Sequence, residues 1–157
     1  MGEELVFDEQ AHVKLLRAAL GSSAVAKPAI HLDALGDGFF SFNSFLIVAR
    51  DLEDTGMSAY TGAAPLITSN AYLAVAAQIL ATEANHSGGI RMLSAINEIA
   101  TTALDSLDVL PRPSGDQYFN ISVPNALGTA RTTDQVLAIV YGNNTKGTSK
   151  GASTQPA

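Results

Sequence analysis

No cysteine occurs among the 157 residues. That excludes disulfides, zinc-thiolate sites and iron-sulfur clusters, and leaves oxygen and imidazole nitrogen as the atoms with which a metal would be held. Charge is scarce as well: charged residues make up 15% of the chain, against roughly 25% in ordinary soluble proteins. Much of the surface is therefore neutral, or the charges are buried. Lys and Arg together number nine, are scattered, and leave a net charge of -6. Nucleic-acid backbones are bound by clustered basic side chains, so the composition argues against a nucleic-acid partner. No apolar run approaches the roughly 20 residues of a membrane span, and Met1 to Leu20 has no basic start followed by an apolar stretch. The expectation is a soluble, cytoplasmic chain with no membrane partner, of a length that suits one domain.

What is present is helical periodicity. From about Glu3 to Leu20, the residues Leu5, Glu9, His12, Leu16 and Leu20 share a stripe, and Gly21 supplies a stop. Residues 21–41, with Pro28, Gly36 and Gly38, show no period and read as a long crossover between two parallel helices. A second helix is expected from about Ser41 to Ala63, its stripe being Phe42, Leu46, Ala49, Glu53, Gly56 and Tyr60. Arg50, Asp51 and Asp54 fall off that stripe and read as a solvated face. Pro65 ends this helix, and Thr68-Ser69-Asn70 offers a cap for a third, with Tyr72, Ala76, Ile79, Glu83, His86 and Ile90 in line. The short link between them favours antiparallel neighbours.

Gly88-Gly89 predicts a weak or bent helix just past His86, since each glycine costs about 1 kcal/mol relative to alanine in a helix interior. The pattern Leu93, Ile96, Ile99, Ala100, Leu104 suggests that the helix resumes over 92–107, before Pro111 and Pro113. Thr132 to Tyr141 reads as a short capped helix or strand, and residues 143–157, which lack aromatic and large aliphatic side chains, as a disordered tail.

Two copies of Glu-x-x-His stand out, Glu9-Gln10-Ala11-His12 and Glu83-Ala84-Asn85-His86, with Glu53 between them. Residues three apart on a helix share a face, so each motif can aim an oxygen and a nitrogen at one point. A carboxylate-bridged metal pair needs anionic oxygens to offset the cations and one imidazole for each metal. On this reading Glu9 and Glu83 bridge, His12 and His86 bind terminally, and Glu53 is a terminal carboxylate. A single motif is weak evidence, because exposed Glu is common. Two copies plus Glu53, each flanked a turn away by Leu, Ile or Ala, favour a shared interior site, where unpaired carboxylates would be prohibitively costly without cations. His31 reads as an exposed loop histidine, and Tyr60 and Tyr72 as core tyrosines. The Asn-x-Ser/Thr triplets at Asn85, Asn120 and Asn143 are short and common, and carry no weight here.

The stretches Asp8-Glu9-Gln10-Ala11-His12-Val13-Lys14-Leu15-Leu16-Arg17-Ala18-Ala19-Leu20-Gly21, Leu52-Glu53-Asp54-Thr55-Gly56, Ala59-Tyr60-Thr61-Gly62-Ala63-Ala64-Pro65 and Ile79-Leu80-Ala81-Thr82-Glu83-Ala84-Asn85-His86 resemble the ferritin-like domain proteins that include the plant desiccation-related proteins. Arg131-Thr132-Thr133 and Gln135 to Gly142 are similar to that family's C-terminal segment. The resemblance implies an all-α, ferritin-like helical bundle over residues 1–142 and an iron or manganese site of one or two ions, with Glu9, His12, Glu53, Glu83 and His86 as ligands. It also implies oxidative or peroxide chemistry, or else a stress-related structural role with a vestigial site. In the family a preceding helix contributes another Glu, and only eight residues precede Glu9 here. The expectation is thus a bundle incomplete at the N-terminus, whose groove is filled by another copy in a homo-oligomer, by the segment after Met92, or by an upstream stretch that would also allow export.

Overall fold

The computed structural model describes residues 2–26, 39–122 and 124–141. Among these are four α-helices: α1 (Gly2–Leu20), α2 (Phe42–Ala63), α3 (Asn70–Ile96) and α4 (Thr133–Val140). A minimal antiparallel pair, β1 (Ile121–Ser122) and β2 (Leu127–Gly128), lies between α3 and α4. None of the helices is long and apolar enough to cross a membrane. His31, most of the expected crossover and the expected tail fall outside the described residues.

Local chemistry accounts for the helix ends. Ser41 Oγ accepts from the Ser44 amide while Ser44 Oγ accepts from the Ser41 amide, a reciprocal cap that starts α2. Ser69 caps α3 by accepting from the Tyr72 amide. Thr132 and Gln135 form a second reciprocal cap on α4, which settles that segment as a helix. Gly21 follows α1 with φ of +55°, a conformation that side chains rarely adopt. Pro65 lies in the 3-10 turn Ala64–Leu66 that follows α2.

Side-chain pairings fix the helix directions. Asp54 meets Arg91 and Glu53 meets His86, while Gly56, further along α2, lies against Glu83, earlier on α3, so over this stretch residue numbers rise on α2 as they fall on α3. The two are antiparallel and form the closest helix pair. Asp8 meets His86 and His12 meets Glu83, so α1 is also antiparallel to α3 and hence parallel to α2. Leu5, Leu46, Ala49, Ile90 and Ile99 form a buried apolar cluster at one end of the three helices, with Phe45, Ile47 and Leu93 packed on it.

Three expectations about helix continuity and helix ends are corrected. First, α3 runs unbroken through Gly88-Gly89 for 27 residues. Its neighbours Ser87 and Arg91 both bond to Asp54 of α2, and this tertiary anchoring offsets the roughly 2 kcal/mol of lost propensity. A side chain at Gly88 would meet the Phe119 ring at 3.6 Å, ordinary contact distance. Second, α3 does not resume over 92–107: it ends at Ile96, Glu98 turns with φ of +53°, and Ile99 and Leu104 are buried from an irregular segment. Third, the ends of the expected stripes, Leu20, Phe42 and Tyr72, are exposed, because they lie at helix ends with little packed over them.

The largest departure is the supposed solvated face of α2. Arg50, Asp51 and Asp54 are buried, with Arg50 and Asp54 at 0% exposure. Arg50 Nε lies 2.8 Å from Asp54 Oδ2, Arg91 Nη1 donates to the same oxygen at 2.7 Å, and Arg50 also pairs with Asp51 and Asp108. Arg131 donates to Asp105 and to Ser58 Oγ, and Arg91 Nε to the Tyr118 carbonyl. These bonds pin the irregular chain after α3 onto α2 and α3. Gly62 completes the seat, since a Cβ there would stand 1.9 Å from the Arg131 carbonyl oxygen. The segment after Met92 therefore covers chiefly α2 and α3, and the outward side of α1 stays exposed.

Candidate metal centre

Three helices converge on one group of side chains. Glu9 and His12 come from α1, Glu53 from α2, and Glu83 and His86 from α3. One ligand atom from each of Glu9, Glu53, Glu83 and His86 lies within 4.8 Å of every other. His12 stands at the edge of this group, its Nδ1 3.2 Å from Glu83 Oε1 and 3.6 Å from Glu9 Oε1. His86 Nδ1 is 3.3 Å from Glu53 Oε2 and 3.7 Å from Glu9 Oε1. The same oxygen of Glu9 thus lies between the two imidazoles, one from each Glu-x-x-His motif. Of the five residues singled out in the sequence, Glu9, Glu53, Glu83 and His86 form this group and His12 lies beside it.

The helical repeat explains the convergence. Glu and His three apart project from one side of α1 and of α3, and the antiparallel setting of those helices brings the two motifs face to face. Gly56 makes room on α2: a Cβ there would lie 2.6 Å from Glu83 Oε2, so the carboxylate occupies the space a side chain would fill.

Electrostatically the site is unbalanced. Glu53 and Glu83 are buried, and among the described residues the ion pairs of Glu9, Glu53 and Glu83 are with His12 and His86, with no Lys or Arg. Burial and then the Glu9 charge hold the carboxyls of Glu53 and Glu83 well above the usual carboxylate range, at about 7 and about 8, and the Glu53 charge adds to the rise at Glu83. A hydrogen bond between these two carboxyls favours the protonated form of Glu83 and the ionised form of Glu53, so the pair is suited to hold a proton between them. Half-buried Tyr60 feels the same field: burial and the charges of Glu83 and Glu9 push its hydroxyl up to about 12. Glu9 Oε1 and His12 Nδ1 are buried atoms without a hydrogen-bond partner. Unsatisfied acceptors facing a cluster of carboxylates fit a cation, which would bind them all at once.

Asp8 is a participant that the sequence reading missed. Its Oδ2 lies 3.1 Å from His86 Nε2, while Nδ1 of the same ring faces the carboxylates. A carboxylate on the far nitrogen holds a metal-binding imidazole in orientation and raises its basicity. The signal was available: Asp8 directly precedes Glu9, and at 100° per residue it borders the His12 side of α1. A cavity of about 180 Å³, lined by Glu4, Leu5, Asn85, His86 and Ile90, opens beside His86.

Comparison with curated proteins and with solved structures finds no match. The family model described as Ferritin-like domain matches residues 2–95, the span that carries α1, α2, α3 up to its penultimate residue and every residue of the cluster. The chain belongs to the ferritin-like domain family.

Proposed function

We propose that the protein binds iron or manganese at Glu9, His12, Glu53, Glu83 and His86, with Asp8 orienting His86, and that this centre serves oxidation of the metal or reactions with oxygen or peroxide. The observation that carries this reading is the convergence of three carboxylates and two imidazoles from three helices with no Lys or Arg among the described residues to neutralise them. Three anionic oxygens and two neutral nitrogens suit a divalent first-row metal, and the donor set does not select between iron and manganese. A bound redox metal would supply electron transfer to a small oxidant. This chain's residues hold the ion, orient the imidazoles and, through Glu53 and Glu83, exchange a proton for the cation.

A second reading has its own support. A dimetal pair in a four-helix bundle draws a Glu from each of two helices in addition to two Glu-x-x-His motifs, and among the described residues Glu53 is the one such Glu in the cluster. A site one carboxylate short suits a stress- or desiccation-related protein whose centre is vestigial, or a single ion. Metal analysis of purified, reconstituted protein separates these readings. Two ions per chain support the dinuclear centre, one fits the five-residue set, and none defeats the metal reading. Glu83→Ala and His86→Ala should each lose bound metal, and unchanged stoichiometry in either removes that residue from the site.

A further inference from the structure

The outward face of α1 carries a pattern that the metal centre does not use. On a helix of 3.6 residues per turn, Leu5, Asp8, Glu9, His12 and Leu16 point inward, and the opposite side bears a central column of Glu3, Gln10 and Arg17. Val6, Val13 and Leu20 flank the column on one side, Phe7 and Lys14 on the other. Val6 is 58% exposed, Phe7 71%, Val13 53% and Leu20 51%. Residues at 3, 6 and 7, 10, 13 and 14, and 17 follow the alternating three- and four-residue spacing with which one helix packs along another.

We propose that this face pairs with the same face of a second copy of the chain, with the two α1 helices antiparallel about a two-fold axis at Gln10. The charges select that arrangement. The column is acidic at its N-terminal end and basic at its C-terminal end, so an antiparallel pair sets Glu3 against Arg17 of the second copy, twice, whereas a parallel pair would set like charges together. A two-fold axis lying across the helices keeps each flank on its own side. Val6 then meets Val13 of the other copy, and the Phe7 ring meets the stem and ammonium of Lys14. Arg17 donates Nη1 to the Val25 carbonyl, and no bond is made by its Nη2 to any carboxylate of its own chain among the described residues. The interface leaves the inward face, with Glu9 and His12, untouched, so it stands apart from the metal reading.

Sedimentation or light scattering across a concentration series tests this. Wild type should show a monomer-dimer equilibrium. Glu3→Arg and Arg17→Glu should each weaken the dimer by about tenfold or more, and the double variant should recover most of the loss. Because the chain has no cysteine, Gln10→Cys should form a disulfide-linked dimer on mild oxidation, and Asp116→Cys, on an exposed loop, should not. Circular dichroism on every variant confirms the helical fold. A monomer at all concentrations overturns the proposal. So does a dimer that ignores both reversals, a double variant that stays monomeric, or a Gln10→Cys protein that fails to cross-link.

Discussion

Two clusters of buried charge lie side by side between α2 and α3, one residue apart on each helix: Glu53 and His86 belong to one, Asp54 and Ser87 to the other. The second cluster carries its own cations. Arg50 and Arg91 neutralise Asp54, Arg50 reaches Asp108, and Arg131 reaches Asp105. The first gathers Glu9, Glu53 and Glu83, whose ion-pair partners among the described residues are the imidazoles of His12 and His86. The contrast separates structural from functional burial of charge. A cluster closed on itself ties elements together, whereas one with excess negative charge is open to completion from outside, by protons or by a cation.

The contrast can be broken first at Asp54. Asp54→Ala leaves Arg50 and Arg91 buried without their shared partner, and should cost about 3–5 kcal/mol in chemical denaturation, enough to unfold much of the protein. Glu83→Gln should do the reverse in metal-free protein. It removes repulsion with Glu9 and Glu53, so apo stability at pH 8 should hold or rise, while the stabilisation expected from metal at a hundredfold excess over Kd, roughly 2.7 kcal/mol, should vanish.

The pH response sharpens the same point. Glu53 and Glu83 bind protons more tightly folded, at about 7 and about 8, than at their ordinary 4.5. The stability tied to those protons is full below pH 4.5 and is lost as pH rises towards 8, because the unfolded chain releases protons that the folded one retains. Thermal unfolding of apo protein should show this fall. Metal, which replaces the protons, should bind more tightly as pH rises and flatten the profile. An apo profile with no fall between pH 5 and 8 would contradict the unbalanced cluster. The smallest effects lie at the supporting residues. Asp8→Asn should weaken metal binding by roughly 10- to 100-fold, and Gly56→Ala, which pushes only the mobile end of Glu83, by about tenfold or less, both read by metal titration.

Much of the centre was legible because Glu-x-x-His on an apolar helical stripe constrains where two side chains point. Asp8 is not legible from Glu-x-x-His spacing, since it lies outside both motifs and a residue next to Glu9 can serve His86 only once α3 is in place. The balanced cluster was invisible for a different reason. Arg50, Asp51 and Asp54 lie off the apolar stripe of α2, as solvated residues do, and what covers them is a stretch after α3 with no periodic pattern. The glycine pair misled because propensity is local, whereas Ser87 and Arg91 are held from α2.

Sequence alone determined where the three long helices lie and which side of each carries the Glu and His residues, since the 3.6-residue repeat and the caps are properties of neighbouring residues. Only the tertiary structure decided that Glu9, Glu53 and Glu83 face one another with no Lys or Arg among the described residues to pair them, and that Arg50 and Asp54 are interior. The reason is that periodicity says which side chains share a face, while the element that comes to rest on that face, and the charge it brings, depends on contacts between residues far apart in the chain.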